Sequence, residues 1–228
     1  MVTTALPLMP QRRALVDDVY DAVLSLLMDR AVQPGSRVSI DGVSRQLDVS
    51  PTPVREALAR LESEGLITKE AGKGYRAAEL LDAEGLRQLF DMRLLLEPVA
   101  ARIAASLAPV SAWDELADLV NAAENEIDAD LPDDERYESY RAFAERDAAF
   151  HHLIALRSGN PLLSDAIVRL RSHMHLYRLY FRHGIAAETS DEHNAILGAL
   201  RRGEPAAAEA AMQQHIEHSH GRMAAGGL

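Results

Sequence analysis

The hydrophobic pattern of this chain changes near Ala78. From there to residue 228 the apolar residues recur at three- and four-residue steps, without the strict alternation that marks a strand. That spacing is typical of amphipathic helices, whose buried stripe returns about every 3.6 residues. The sequence therefore predicts a mainly α protein in which residues 79–228 form an all-α antiparallel helical bundle.

The bundle is expected to start with a long helix after Asp82. A carboxylate at this position accepts hydrogen bonds from the amides of the first helical turn. The further helices are predicted over 111–128, 137–158, 160–182, 190–202 and 205–222.

Residues 1–78 carry shorter elements. Ser50-Pro51 combines a hydroxyl N-cap with a proline at the first helical position, so a helix is expected to start there and to end at Gly65. The glycines on either side of Lys73 predict a hairpin turn. Helices are thus predicted over 13–30, 40–47 and from Ser50-Pro51 to Gly65, and strands over 66–69 and 75–78. This order of elements predicts a winged helix-turn-helix domain.

Charge is shared unevenly between the two parts. Residues 1–78 hold ten basic and ten acidic residues, whereas residues 79–228 hold 14 basic and 25 acidic ones, which accounts for the whole net charge of −11. Phosphate contacts need a basic surface. Any contact with nucleic acid is therefore expected on a local face of residues 1–78.

Other function classes are excluded by composition. The chain has no cysteine, so a disulfide framework, a thiol nucleophile and a Cys-based zinc site are ruled out. No stretch approaches about 18 uninterrupted apolar residues, so no membrane span is expected. Met1–Pro10 lacks the basic and apolar regions of a secretory signal, and a cytoplasmic location is the expectation.

The third predicted helix presents a polar face. When Val54 and Leu58 face the core, Thr52 and Arg55 point outward near the start of the helix. A guanidinium forms a bidentate pair with guanine or clamps a phosphate, and Lys73 lies where flanking glycines allow close approach to a groove. The residues alone leave a second interpretation open, in which Arg55 belongs to an ordinary solvated face.

The motif around this helix resembles the GntR family of bacterial regulators. The resemblance lies in the run from Asp48 to Leu58, in Leu61-Glu62, in Glu64-Gly65-Leu66 and, upstream, in Pro34-Gly35-Ser36-Arg37-Val38. It implies a winged domain that binds a double-stranded DNA operator, with Thr52 and Arg55 as contacts. The remaining candidate contacts are Arg45, Ser50 and Lys73. Pro51 stands where the family usually has an arginine that contacts the operator.

A carboxylate and three imidazoles lie on apolar stripes of the predicted bundle. Asp147 and His151 are four residues apart on the buried face of one helix, and His193 and His215 lie on the apolar stripes of two later helices. A buried aspartate is unfavourable unless a cation satisfies it. These donors suit a divalent metal ion of the Zn, Ni or Mn type. Spacing alone leaves open that the histidines are satisfied core groups.

Residues 82–222 resemble the FCD effector domain of the FadR-type branch of the GntR family. The matching pieces are Arg93-x-x-x-Glu97, Asp147-x-x-Phe150-His151, Ser158-Gly159-Asn160-Pro161, Asp191-Glu192-His193 with Ile196-Leu197, and Met212 with His215. The resemblance implies a bound metal with Asp147, His151, His193 and His215 as ligands. It also implies that Arg93 holds the carboxylate of a small-acid effector, whereas the alternative is a simple pair with Glu97 one turn away. The other histidines, His173 and His218 among them, receive no role.

These features lead to one hypothesis and two alternatives. The hypothesis is a homodimeric transcription regulator, not an enzyme, that binds a pseudo-palindromic operator and senses a small carboxylate at a metal-assisted site. In the first alternative Asp147 and the histidines bind the effector directly, without metal. The second is a metal-dependent hydrolase, which is disfavoured because there is no His-Glu-x-x-His run and Glu192 faces away from His193 on its helix.

Overall fold

The computed structural model describes residues 15–28, 31–124, 133–180 and 186–225. The contacts divide the chain into two compact units, Met1–Glu79 and Leu80–Leu228, called here the N-terminal unit and the C-terminal unit. Met1–Pro10 and the predicted helix ends at 13–14, 29–30, 125–128 and 181–182 lie outside the described residues.

The N-terminal unit contains the three predicted helices. Their bounds are Leu15–Met28 for α1, Ile40–Leu47 for α2 and Pro51–Ser63 for α3. The apolar stripes of α1 and α3 form the core of this unit, and their fully buried members are Val19, Val23 and Leu27 on α1 and Val54, Leu58 and Leu61 on α3. Burial of the α3 stripe leaves the opposite face of that helix to solvent.

A small antiparallel sheet completes the N-terminal unit. Its strands are β1 (Arg37–Val38), β2 (Ile67–Glu70) and β3 (Gly74–Ala77), in the order β1-β3-β2. The predicted hairpin is therefore present, with each strand displaced by one residue. The turn uses Gly72 at φ +75°, a conformation that glycine adopts without steric cost. Strand β1 was not predicted, because two residues are too few to show an alternation.

Helix α3 starts as predicted, with Ser50 at the N-cap position and Pro51 as its first residue, but the expected capping hydrogen bond is not formed. A capping side chain accepts from the amide of the second or third helical residue. Pro53 is the third residue of α3 and has no amide proton, which removes one of the two donors. The Ser50 residue is left exposed in front of the helix.

The described part of the C-terminal unit is all helical. Its helices are α4 (Ala83–Leu107), α5 (Asp114–Glu124), α6 (Asp133–Arg157), α7 (Pro161–Arg169), α8 (Ser172–Tyr180), α9 (Ala186–Arg201) and α10 (Pro205–Ala225), with a 3-10 turn at Val110–Trp113. Asp82 caps α4 as predicted, accepting a 2.8 Å hydrogen bond from the Gly85 amide. One core joins α4, α5, α6, α8, α9 and α10 around Phe90, Trp113 and Phe150. The predicted fold class is confirmed.

The single helix predicted over 160–182 is wrong, because the structure has two helices there. Helix α7 ends at Arg169, and Arg171 takes a left-handed backbone conformation at φ +51° before α8 begins. Neither glycine nor proline marks this break in the sequence. The change of direction brings His173 of α8 against Asp147 of α6.

Within the residues that the structure describes, no helix combines the length and the apolar character that crossing a bilayer requires.

Candidate metal centre and DNA-binding face

Three helices bring four ligand-type side chains together inside the C-terminal unit. Asp147 and His151 lie one turn apart on α6, His193 lies on α9 and His215 on α10. One ligand atom from each of the four residues lies within 4.8 Å of the others. The three imidazoles are buried, with residue exposures of 2% to 4%.

The atoms that face one another at this cluster are Lewis bases without hydrogen-bond partners. His193 Nε2 lies 3.2 Å and His151 Nε2 3.8 Å from Asp147 Oδ1. All three atoms are buried, and none forms a hydrogen bond. Buried polar atoms are almost always satisfied, so a convergent set without partners needs an explanation. A divalent cation satisfies one carboxylate oxygen and three imidazole nitrogens at once, and the residues therefore fit a metal.

His151 has a carboxylate on the side of its ring away from the cluster. Its Nδ1 lies 2.6 Å from Glu97 Oε2 on α4. Glu97 also accepts a 2.7 Å hydrogen bond from Arg93 Nε and a 3.3 Å hydrogen bond from Arg93 Nη2. Arg93 and Glu97 are both buried, so the pair that the sequence left as an alternative is present and enclosed. The contact of Glu97 with His151 was not anticipated.

His215 has a similar partner on a different helix. Its Nδ1 lies 2.8 Å from Glu192 Oε2 on α9, and His218 Nδ1 lies 3.0 Å from Glu192 Oε1. Arg222 donates to both oxygens of this carboxylate, at 2.7 and 2.9 Å. Glu192 is adjacent to His193 in α9, yet its carboxylate contacts His215, so it lies closer to the ligand set than the sequence indicated.

Asp147 and His193 are held by other contacts. His173 Nδ1 lies 2.6 Å from Asp147 Oδ2, the oxygen that points away from His193. The His193 ring stacks on Phe150, with 3.8 Å between ring centroids and 10° between ring planes. His173 received no role from the sequence, because a position after an unpredicted turn cannot be assigned to a face.

Burial and charge set the protonation states of the cluster. Burial lowers the pKa of His151 to about 4 and that of His215 to about 3, despite the carboxylates beside them. Burial alone would raise the pKa of Asp147, but the charge and hydrogen bond of His173 hold it well below its ordinary value. At neutral pH the cluster thus presents a carboxylate with two neutral imidazoles, which are the states that bind metal.

Two cavities adjoin the cluster. The smaller has a volume of about 30 Å³, and its walls include Arg93, Asp147, His173 and His215. The larger, of about 220 Å³, lies between α6, α7 and α8 and shares His173 with the first. Arg93 therefore lines the small cavity while its guanidinium is bound to Glu97.

The candidate DNA contacts of the N-terminal unit are all exposed: Arg45, Ser50, Thr52, Arg55 and Lys73. Neither Arg45 nor Arg55 forms an ion pair with any residue that the structure describes. Lys73 lies at the hairpin turn with its side chain 72% exposed, and its Nζ is 3.4 Å from Glu70 Oε2. This polar surface is called the α3 face below.

Comparison with protein families gives a match in each of the two units. The family described as "Bacterial regulatory proteins, gntR family" matches residues 15–76, and the FCD domain matches residues 88–218, more than half of the chain. The chain belongs to the GntR family, in its FadR-type branch with an FCD domain. It is a transcription regulator with a DNA-binding domain and an effector domain, and not an enzyme.

Individual relatives are also regulators. The chain is 43% identical over 76 residues to the Nta operon transcriptional regulator of Aminobacter aminovorans, a match that spans 33% of this chain and 36% of that regulator. It is 26% identical over 214 residues to the HTH-type transcriptional regulator LutR of Bacillus subtilis (strain 168), covering 84% of this chain and 93% of LutR. The solved structure of E. coli McbR/YncC has the same fold, with a TM-score of 0.68 at 22% identity over 94% of this chain and 99% of that one.

Proposed function

We propose that this regulator acts as a homodimer on a pseudo-palindromic operator and responds to a small organic acid at a metal-assisted site. In this proposal residues 1–78 bind DNA, residues 79–228 bind the metal and the effector and form the dimer, and the protein acts in the cytoplasm. The effector acts by binding two conformations of the regulator with different affinity, which shifts the affinity for the operator.

The convergence of unpartnered Lewis bases carries the metal proposal. Asp147 Oδ1, His151 Nε2 and His193 Nε2 are buried and without hydrogen bonds, and His215 completes the set. These four residues would hold a divalent ion of the Zn, Ni or Mn type. When bound, the ion supplies a Lewis-acid contact for a carboxylate oxygen. Arg93, in the wall of the same cavity, is the proposed partner of the effector carboxylate.

The exposed α3 face supports the proposed DNA contacts. Thr52 and Arg55 lie in the first turns of α3, the helix that enters the major groove in helix-turn-helix domains. Arg55 is available for a guanine or a phosphate because it forms no ion pair with the described residues. We assign Arg45, Ser50 and Lys73 to the same surface as flanking contacts.

Exposed apolar side chains support the proposed dimer. Leu95 on α4, Leu156 on α6 and Leu162 on α7 are large and exposed, Leu162 by 80%. Large exposed apolar side chains mark an interaction surface when they lie together, and we assign these three to the dimer interface. Sedimentation of the full chain measures the dimer directly, and a monomer at all concentrations used for DNA binding would contradict the proposal.

The metal and the operator are tested on the full chain purified without chelator. Elemental analysis is expected to find stoichiometric divalent metal, and anomalous scattering to place it at the Asp147 cluster. Protein without metal that still responds to small acids would instead favour direct binding of the effector by Asp147 and the histidines.

Binding to DNA around the regulator's own promoter is measured by fluorescence anisotropy at several salt concentrations. Affinity is expected to fall steeply with salt, as phosphate contacts require. Absence of salt-dependent binding would overturn the operator proposal.

A further inference from the structure

Two arginine–glutamate–histidine chains end at the proposed metal ligands. One runs from Arg93 through Glu97 to His151, and the other from Arg222 through Glu192 to His215. We propose that Glu97 and Glu192 are positioning residues that fix the tautomers of His151 and His215, so that Nδ1 carries the proton and Nε2 offers its lone pair to the metal. This inference rests on the proposed metal site.

The two ring nitrogens of a neutral imidazole have different roles. One ring nitrogen donates a hydrogen bond and the other accepts, and the partner of one nitrogen decides the role of the other. An ionised carboxylate only accepts. A nitrogen that lies closer than about 3 Å to a carboxylate oxygen, where two lone pairs would repel, therefore carries the proton, and the lone pair is left on the opposite nitrogen.

His215 meets this condition. Its Nδ1 lies 2.8 Å from Glu192 Oε2, and Arg222 binds both oxygens of the same carboxylate. A bidentate guanidinium fixes the plane of a carboxylate as well as its charge. Glu192 is thereby held ionised and oriented, with one oxygen directed at His215. The ring cannot turn over without losing this contact.

His151 meets the distance condition alone: its Nδ1 lies close to a carboxylate on a different helix but forms no hydrogen bond of good geometry with it. Its Nδ1 lies 2.6 Å from Glu97 Oε2, and Glu97 is bound by Arg93 one turn earlier on α4. His151 Nε2 then faces Asp147 Oδ1 at 3.8 Å without a hydrogen bond between them. The 2.6 Å separation from Glu97 is shorter than the contact distance of two lone pairs, and this closeness is what places the proton on Nδ1 and the lone pair on Nε2.

The two arginine–glutamate–histidine series join different helices, and the third imidazole, that of His193, is held in another way. One chain ties α4 to α6 and the other ties α9 to α10, whereas His193 stacks on Phe150. Ligand orientation by carboxylates is therefore specific to His151 and His215. A purely structural role for the two glutamates would tie the helices together without setting either tautomer, and this difference can be measured.

The decisive variant is Glu192→Gln. Glutamine has nearly the same shape, but its amide both donates and accepts, so it no longer dictates which nitrogen of His215 carries the proton. In the metal-free full chain, nitrogen NMR of the histidine rings is expected to show His215 protonated on Nδ1 in the wild type. A mixture of tautomers is expected in Glu192→Gln, with His151 unchanged.

Zinc affinity provides the second measurement. Competition with a chromophoric chelator is expected to show Zn²⁺ binding about 10- to 100-fold weaker in Glu192→Gln than in the wild type. Glu217→Gln is the matched control, because Glu217 is exposed on α10 and accepts only from Gln213 Nε2 within the described contacts. Its Zn²⁺ affinity and its histidine tautomers are expected to equal those of the wild type.

Glu97→Gln gives the reciprocal test, with folding checked by the emission of the buried Trp113. It is expected to change the tautomer of His151 and to leave that of His215 unchanged. A wild-type His215 protonated on Nε2, or a folded Glu192→Gln that binds Zn²⁺ as tightly as Glu217→Gln, would overturn the inference. Wild-type protein that binds no Zn²⁺ contradicts the proposed metal site, whereas tautomers read in the metal-free protein still decide the positioning role.

Discussion

The α3 face and the Asp147 cluster handle charge in opposite ways. Arg45 and Arg55 are exposed and have no ion-pair partner among the described residues, whereas Arg93 is buried and bound to Glu97. An exposed cation remains hydrated, so it loses little hydration free energy when it binds a polyanion. A buried one persists only with a fixed partner. The first arrangement suits a long phosphate backbone, and the second suits one small ion held in a defined geometry.

Loss of a single imidazole gives the largest expected effect. His193→Ala is expected to abolish stoichiometric metal binding, and with it the stabilisation of about 4 kcal/mol that a ligand supplies at 1,000 times its dissociation constant. Affinity for DNA in the absence of effector stays nearly unchanged, because the α3 face is not altered. His152→Ala, which removes an exposed imidazole next to His151, is the control. Loss of metal in both variants, or of DNA binding in His193→Ala, would contradict the separation of the two sites.

Removing one partner of the buried ion pair is the next largest change. Arg93→Met leaves Glu97 buried without its cation, and such a loss costs about 3–5 kcal/mol of unfolding free energy. Urea unfolding followed by Trp113 emission reports this, since the single tryptophan is buried in the C-terminal unit. Arg87→Met on the same helix breaks an exposed pair and is expected to leave the midpoint almost unchanged. Equal effects of the two variants would refute the distinction between buried and exposed pairs.

Acidification is expected to destabilise the C-terminal unit but not the N-terminal unit, by a smaller amount than the substitutions above. Because the folded pKa values of His151 and His215 lie at about 4 and 3, below the ordinary 6.5, the unfolded chain takes up protons first as the pH falls. The unfolding free energy of the metal-free C-terminal unit is therefore expected to drop below pH 6.5, by about 1.4 kcal/mol per pH unit for each imidazole.

The N-terminal unit serves as the internal control, since all nine histidines lie at or after His151. Hydrogen exchange at pH 7 and at pH 5.5 resolves the two units, after correction for the intrinsic pH dependence of exchange. Equal loss of protection in both would show that the buried imidazoles are not the cause.

The smallest expected effect is at the α3 face. Arg55→Ala is expected to weaken operator binding by about 1–3 kcal/mol if it contacts a base, or to lower the salt slope by about one if it contacts a phosphate. Arg60→Ala on the same helix is the comparison, because Arg60 is engaged by Asp17 and by Glu64. If a folded Arg60→Ala lost more DNA affinity than Arg55→Ala, the DNA contacts would have to be assigned to a different face of α3.

The spacing of apolar residues predicted most of the fold, because the pattern that indicates a helix is complete within a few residues. It missed the break before α8, where Arg171 adopts a left-handed conformation without a glycine or proline to mark it. It also missed β1, which is held only by pairing with the distant β3. The pattern placed Ser50 correctly at the N-cap position, but it did not account for the missing amide of Pro53, and the expected capping hydrogen bond is absent.

The sequence predicted the ligand residues of the candidate site but not the residues that contact them. Helical spacing placed Asp147 and His151 on one face and His193 and His215 on the apolar stripes of two later helices, and the resemblance to FCD domains joined the four into one ligand set. The contacts of Glu97, His173 and Glu192 with these residues were not foreseen. Each joins two helices, and such contacts depend on how the helices cross rather than on the period of either one. The order of residues along one helix carries no information about that crossing.

The cavity beside Asp147 has room for about two water molecules. In the proposed function the effector carboxylate enters beside Arg93, where Leu176, Thr189 and Met223 from three different helices line the same space. We therefore expect a bulkier acid to press on α8, α9 and α10 more than a smaller one does, so that the response of the regulator depends on the dimensions of the acid as well as on its charge.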